Sequence, residues 1–136
     1  MGQIEIVFHF ESIDTNGQLV MFEFSVPPNA KVPMPHYHEH FDEIAYGVEG
    51  IMTFTIDGKN IEIAAGDSCF IPKGIAHGFI NKHTTTAKVL SVITPALIGP
   101  EYFRELADII NAGGAPDIEK VKLVLNKYGL IPVIND

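Results

Sequence analysis

The sequence predicts an all-β domain, a sandwich or barrel of short antiparallel strands, followed by two short α-helices. Three observations carry that expectation. The 136 residues include 12 glycines and 9 prolines, so turns are frequent. The apolar runs up to Thr94 are short, and most are separated by Gly or Pro. Only after Pro95 does the apolar spacing change from strand-like to helical. A chain of this length has room for one core and no second one. Residues 1–136 are therefore expected to form a single domain, with the barrel over roughly 3–94 and a helical segment over roughly 99–129.

Gln3 to Phe10 and Gln18 to Val26 read as the first two strands. In the second, Val20, Phe22, Phe24 and Val26 share one face, and Met21, Glu23 and Ser25 share the other. Asp14-Thr15-Asn16-Gly17 lies between them, and Asn-Gly supplies the positive φ that hairpins favour. Pro27 and Pro28 close the pair, and Pro33 and Pro35 keep the next segment extended. A strand follows from Glu43 to Val48. Ile51 to Ile56 and Asn60 to Ala64 flank an Asp57-Gly58 turn, a second hairpin signal. Ser68 to Ile71, His77 to Asn81 and Ala87 to Thr94 complete the β run. Pro100 to Asn111 then places Tyr102, Phe103, Leu106, Ile109 and Ile110 at helical spacing and stops at Gly113-Gly114. A second helix, Asp117 to Tyr128, ends before Gly129. The two helices are expected to cover a sheet face or a barrel end.

Composition excludes some partners. A net charge of −8 and a pI near 5.1 disfavour a phosphate backbone, so no nucleic-acid partner is expected. No apolar stretch approaches the roughly 18 residues that span a bilayer. The first ten residues carry Glu5 and His9 and lack a basic start followed by an apolar core, so no membrane partner and a cytoplasmic location are expected. The single cysteine, Cys69, has no partner for an internal disulfide and reads as a structural thiol.

His36, His38 and His40 crowd into five residues just before Glu43. Side chains two apart on a strand share a face, so His36 and His38 project together towards the interior. Two buried imidazoles with nothing between them are poorly satisfied, and a divalent metal solves that problem. Glu43 can return a carboxylate to the same point. A second pattern, Gly66-Asp-Ser-Cys-Phe-Ile-Pro72-Lys-Gly74-Ile-Ala-His77-Gly-Phe-Ile-Asn81, builds turns at Gly66, Pro72 and Gly74 and leaves His77 and Asn81 on one face. His77 is the natural fourth ligand. His40 is expected to face solvent or to sit just behind the ligands, and His9 and His83 to face solvent.

These residues resemble the cupins. His36-Tyr37-His38, four residues, Glu43, six residues and Gly50 are similar to the first cupin motif, and Gly66 to Asn81 matches the second at every specified position. Fifteen residues separate the two motifs, short for the family, as a compact Asp-Gly hairpin would give. The resemblance covers roughly Val20 to Thr94 and implies a double-stranded β-helix, the jelly-roll cupin barrel. It implies His36, His38, Glu43 and His77 as ligands of one divalent transition metal ion, whether Mn, Fe, Ni, Co, Cu or Zn. The stretch from Thr94 through Leu106 and the closing helix resemble the tail of small bacterial quercetin dioxygenase-like cupins.

Four protein ligands leave up to two positions of an octahedral ion for a small molecule. The expected function is that of a metal-dependent dioxygenase acting on a small aromatic or enolic, quercetin-like substrate, with Glu43 as both ligand and general base. The rivals are a non-redox lyase or isomerase and a non-catalytic small-molecule sensor. Phe22, Phe24, Tyr46, Met52, Phe54 and Phe79 are the candidate pocket walls. Gly47 stands where many cupins carry a bulky aliphatic residue, which would open space near the metal or admit Phe79. Small cupins commonly pair through edge strands, so a homodimer through Gln3 to Phe10 is expected.

Overall fold

The computed structural model describes residues 2–32 and 34–133, so Pro33 and its expected extended role lie outside the described residues. Among the described residues ten strands run in the order β1 (Glu5–Phe10), β2 (Val20–Val26), β3 (His36–His38), β4 (Asp42–Glu49), β5 (Ile51–Ile56), β6 (Lys59–Ala64), β7 (Ser68–Ile71), β8 (His77–Ile80), β9 (Ala87–Thr94) and β10 (Leu130–Pro132). Helices α1 (Pro100–Ile110) and α2 (Ile118–Lys127) lie between β9 and β10. All pairings are antiparallel. One sheet has the order β1-β2-β9-β4-β7 and the other β10-β3-β8-β5-β6. This is the rolled two-sheet barrel of a double-stranded β-helix.

Alternation sets which side chains enter the barrel. On β2, Val20, Phe22, Phe24 and Val26 are buried while Met21, Glu23 and Ser25 are only partly so. On β4 the inward set is Glu43, Ala45 and Gly47, and Ile44, Tyr46 and Val48 face out. The Asp57-Gly58 hairpin forms as expected: Ile56 pairs with Lys59, and both turn residues have positive φ. The first connection is longer than a tight hairpin. A 3₁₀ turn at Ser12–Asp14 precedes Asn16 and Gly17, which still take the positive φ their types allow.

Strand β10 has no counterpart in the sequence reading. Leu130, Ile131 and Pro132 pair with His38, Tyr37 and His36, so the C-terminal segment adds an outer strand to the one bearing two candidate ligands. A proline there belongs at a sheet edge, where its missing N–H leaves no ladder bond unmade. The helices cover the barrel end. Tyr102 and Leu106 of α1 and Val121 and Leu125 of α2 are buried against the core. No helix among the described residues is long and apolar enough to cross a membrane.

Gly47 plays a different part from the expected one. A Cβ placed there would lie 2.0 Å from the carbonyl oxygen of Ala64 and 3.1 Å from a methyl of Ile63. Gly47 also donates its N–H to Asp67 and accepts from the N–H of Gly66. It lets the backbones of β4 and the β6–β7 turn touch, and it does not line the cavity that Phe79 and the candidate ligands share. Gly47→Ala should lower the unfolding free energy by about 1–3 kcal/mol in urea titration, because the obstructing atom is backbone. An unchanged midpoint would contradict this account.

Candidate metal centre

Strand pairing assembles the site. His36 and His77 are cross-strand partners on β3 and β8, and their ring centroids are 4.7 Å apart. His38, two residues along β3, points the same way and lies 4.4 Å from His77, centroid to centroid. Two hydrogen bonds tie the turn before His77 to the first motif. Gly74 donates to the carbonyl of His38 at 2.8 Å, and Lys73 donates its N–H to the Asp42 carboxylate at 2.8 Å. Glu43 enters from the opposite sheet on β4, its Oε1 lying 3.8 Å from His38 Nε2 and 4.0 Å from His77 Nε2.

The three histidines are buried, and one donor atom from each lies within 4.8 Å of the others. Nδ1 of His36 is 2.9 Å from the carbonyl of Met34, and Nδ1 of His77 is 3.0 Å from that of Ile75. A carbonyl only accepts, so each Nδ1 donates to it, which leaves Nε2 as the ring atom turned towards the other donors. His38 lacks such a brace. Its Nδ1 is sealed without a hydrogen-bond partner among the described residues, and the ring is stacked on Phe41 at 4.3 Å. Burial, and then the neighbouring imidazoles, push His36 down to about 3 and His38 down to about 2. Burial raises Glu43, against the opposing influence of His77 and of its hydrogen bond from Ser91.

Imidazoles whose ring nitrogens converge gain little from one another, yet here they are packed together beside a carboxylate. A cation satisfies all of these groups at once. Three nitrogens and one oxygen form a borderline donor set that suits Mn, Fe, Co, Ni, Cu or Zn better than Ca or Mg. The donor chemistry fits a divalent transition metal.

Ser91 was not singled out from the sequence. It is fully buried on β9, and its hydroxyl donates to Glu43 Oε2 at 2.5 Å. That bond leaves Oε1 as the oxygen facing the histidines. A lone serine between Val89 and Ile93, on the inward register of an apolar strand, was the available signal. Tyr102 is the second addition. It lies beyond both motifs, and it lines the same cavity as the four donors.

That cavity measures about 60 Å³. Phe22, Phe24, Phe54 and Phe79 line it, joined by Ile98, Phe103, Leu106 and Leu130 from beyond the barrel motifs. Two expected wall residues are elsewhere. Tyr46 is 45% exposed, because it stands three residues from Glu43 and so on the other face of β4. Met52 is buried, but it lies four residues along β5 from Ile56, the partner of His77, and packs in the core beyond the cavity wall. Asn81 clips backbone carbonyls of Val26 and Thr85 and does not reach the donors. His9, His40 and His83 are remote from the cluster and approach Glu23, Glu39 and Glu62 respectively. Cys69 is half-buried, its thiol pushed up to about 11 by burial.

The family model of the cupin domain matches residues 22–93, more than half of the chain, and the chain belongs to that family. It is 33% identical over 96 residues to quercetin 2,3-dioxygenase of Bacillus subtilis, across 70% of this chain and 27% of that protein. The chain thus spans about a quarter of the Bacillus enzyme. It is 31% identical over 93 residues to an oxalate-binding protein of Thermotoga maritima, across 68% of this chain and 76% of the relative. The crystal structure titled a predicted oxalate decarboxylase from Thermotoga maritima superposes with a TM-score of 0.64 at 29% identity, across 68% of this chain and 80% of that one.

If Ser91 fixes the Glu43 carboxylate, Ser91→Ala should weaken metal binding by roughly tenfold to a hundredfold in competition with a chromogenic chelator. The thermal midpoint of the metal-free protein should fall as well, because the buried Glu43 carboxyl loses its donor, so affinities are compared at a temperature where both proteins are folded. Equal affinity in the two proteins would contradict the role.

Proposed function

We propose that this cupin is a metal-dependent dioxygenase acting on a small aromatic or enolic molecule that chelates through oxygen. Its ligands are the Nε2 atoms of His36, His38 and His77 and Oε1 of Glu43. The observation that carries the reading is the wall around those donors: apart from Tyr102 its side chains are hydrocarbon, and among the described residues no Lys or Arg lines it. A compact dianion would find no cationic side chain there, whereas an enol or phenol presents oxygens to the donors and carbon to the phenylalanines. Similarity to the Bacillus quercetin 2,3-dioxygenase supports the oxygenase class.

The cavity size narrows the substrate. About 60 Å³ is well below the roughly 150 Å³ of a cavity that takes up benzene, so a flavonol does not fit with α1 seated. The reading is for a molecule smaller than a flavonol, admitted by an outward adjustment of the partly exposed Phe103. A bound ion would hold the substrate's oxygens and, if redox-active, would pass electrons to dioxygen. Among the described residues Glu43 is the one carboxylate lining the cavity, and burial raises its affinity for a proton. It is the group that accepts the substrate's hydroxyl proton. The aromatic walls exclude water and orient the carbon skeleton.

The test is oxygen uptake by protein reconstituted separately with Fe, Mn, Ni and Co, offered a panel of small enols, catechols and flavonols. Consumption of dioxygen in step with loss of a small enol or phenol supports the proposal. Turnover of the same substrates in strictly anaerobic solution would overturn it in favour of a non-redox lyase or isomerase.

A further inference from the structure

Resting on that metal-site reading, we propose that the Tyr102 hydroxyl hydrogen-bonds the bound ligand's oxygen, making Tyr102 the polar group that orients substrate in an otherwise apolar chamber. It would thereby favour molecules that keep an acceptor oxygen beside the metal.

Helix α1 fixes the residue firmly. Gly99 caps the helix, Pro100 occupies its first turn, and the N–H of Tyr102 bonds the carbonyl of Gly99. Tyr102 and Leu106, one turn apart, are the two buried residues of α1. Both line the cavity. The Tyr102 ring is wedged edge-on against Phe103 and Tyr128, with centroids 4.9 and 5.4 Å away. Tyr128 spends its own hydroxyl on Glu105, which also takes Lys127.

The hydroxyl of Tyr102 has no such use. The residue is 4% exposed, and among the described residues no hydrogen-bond partner meets its oxygen. Buried tyrosine hydroxyls ordinarily find one. The Glu43 carboxylate is near enough for its charge to oppose ionisation of the phenol, reinforcing the larger effect of burial. Tyr102 lines the same cavity as Glu43 and the three histidines. A neutral phenol there is a donor that stays protonated at every working pH. The missing acceptor is supplied by an oxygen of the ligand. Tyr102 lies outside the residues matched to the cupin domain, so the metal donors come from the shared barrel and this polar contact comes from the chain's own tail.

The experiment uses the full chain loaded with cobalt(II), whose visible absorption reports changes in its ligands, and compares wild type with Tyr102→Phe. The probes are acetohydroxamate, a small chelator binding through two oxygens, and ethanethiol, which binds through sulfur and carries no oxygen. Metal content by elemental analysis and thermal midpoint are measured on both proteins. The proposal expects equal cobalt content, acetohydroxamate affinity lower by roughly tenfold to a hundredfold in the variant, and ethanethiol affinity unchanged. Equal acetohydroxamate binding by the two proteins, or none by cobalt-loaded wild type, overturns the proposal and leaves the metal site standing. Equal weakening of both probes overturns it in favour of a packing role. Wild type that holds no cobalt overturns the metal reading and this proposal with it.

Discussion

Three imidazoles and a carboxylate, taken out of water in a barrel lined by phenylalanine, are the constraint around which the rest of the structure is arranged. Burying polar groups without partners is costly, and the cost grows when the groups are of one kind and cannot satisfy each other. Strand pairing nevertheless sets His36 directly against His77, places His38 beside both, and brings Glu43 across from the other sheet. Two backbone carbonyls and one serine hydroxyl then fix the rings and the carboxylate in the orientation a cation requires. Groups held in this way, with their donor atoms converging, form a preorganised arrangement that suits a cation.

The chain divides that task between two parts. The barrel within the family-matched residues carries every donor, whereas the tail shapes what reaches them. Helix α1 lays Tyr102, Phe103 and Leu106 over the cavity, and Tyr128 at the end of α2 packs on Tyr102 from behind. β10 then returns to pair with β3, so the tail is hydrogen-bonded to the strand bearing His36 and His38. Donor geometry and cavity shape are thereby coupled through backbone, although they come from separate stretches of sequence. Such a division allows a shared barrel to serve different ligands as its tail varies.

Much of this was legible in the sequence because period-two alternation and turn chemistry are local. His36 and His38 two apart, the Asp57-Gly58 turn and the inward face of β2 all follow from neighbours in the chain. The same alternation puts Tyr46, an odd number of residues from Glu43, on the outer face of β4. What escaped was non-local. Ser91 meets Glu43 from 48 residues away, and nothing near it in the chain marks it beyond its polarity on an apolar face. Met52 differs from Phe54 only in its distance along β5 from the partner of His77, a matter of register between strands. Gly47 was misread because its crowding neighbour is the backbone of Ala64, which side-chain patterns do not reveal. β10 is three residues long, too short for a periodic signal.

The central claim is that the four donors hold one transition metal ion, and the most direct measurement is elemental analysis of the protein purified without an affinity tag. The comparison is a His36→Ala, His77→Ala double variant treated in parallel. The account predicts close to one metal ion per chain in the wild type and almost none in the variant, with both proteins retaining the β-sheet signature in circular dichroism. Wild type that stays metal-free after reconstitution, or a folded variant that keeps its full complement, would contradict it.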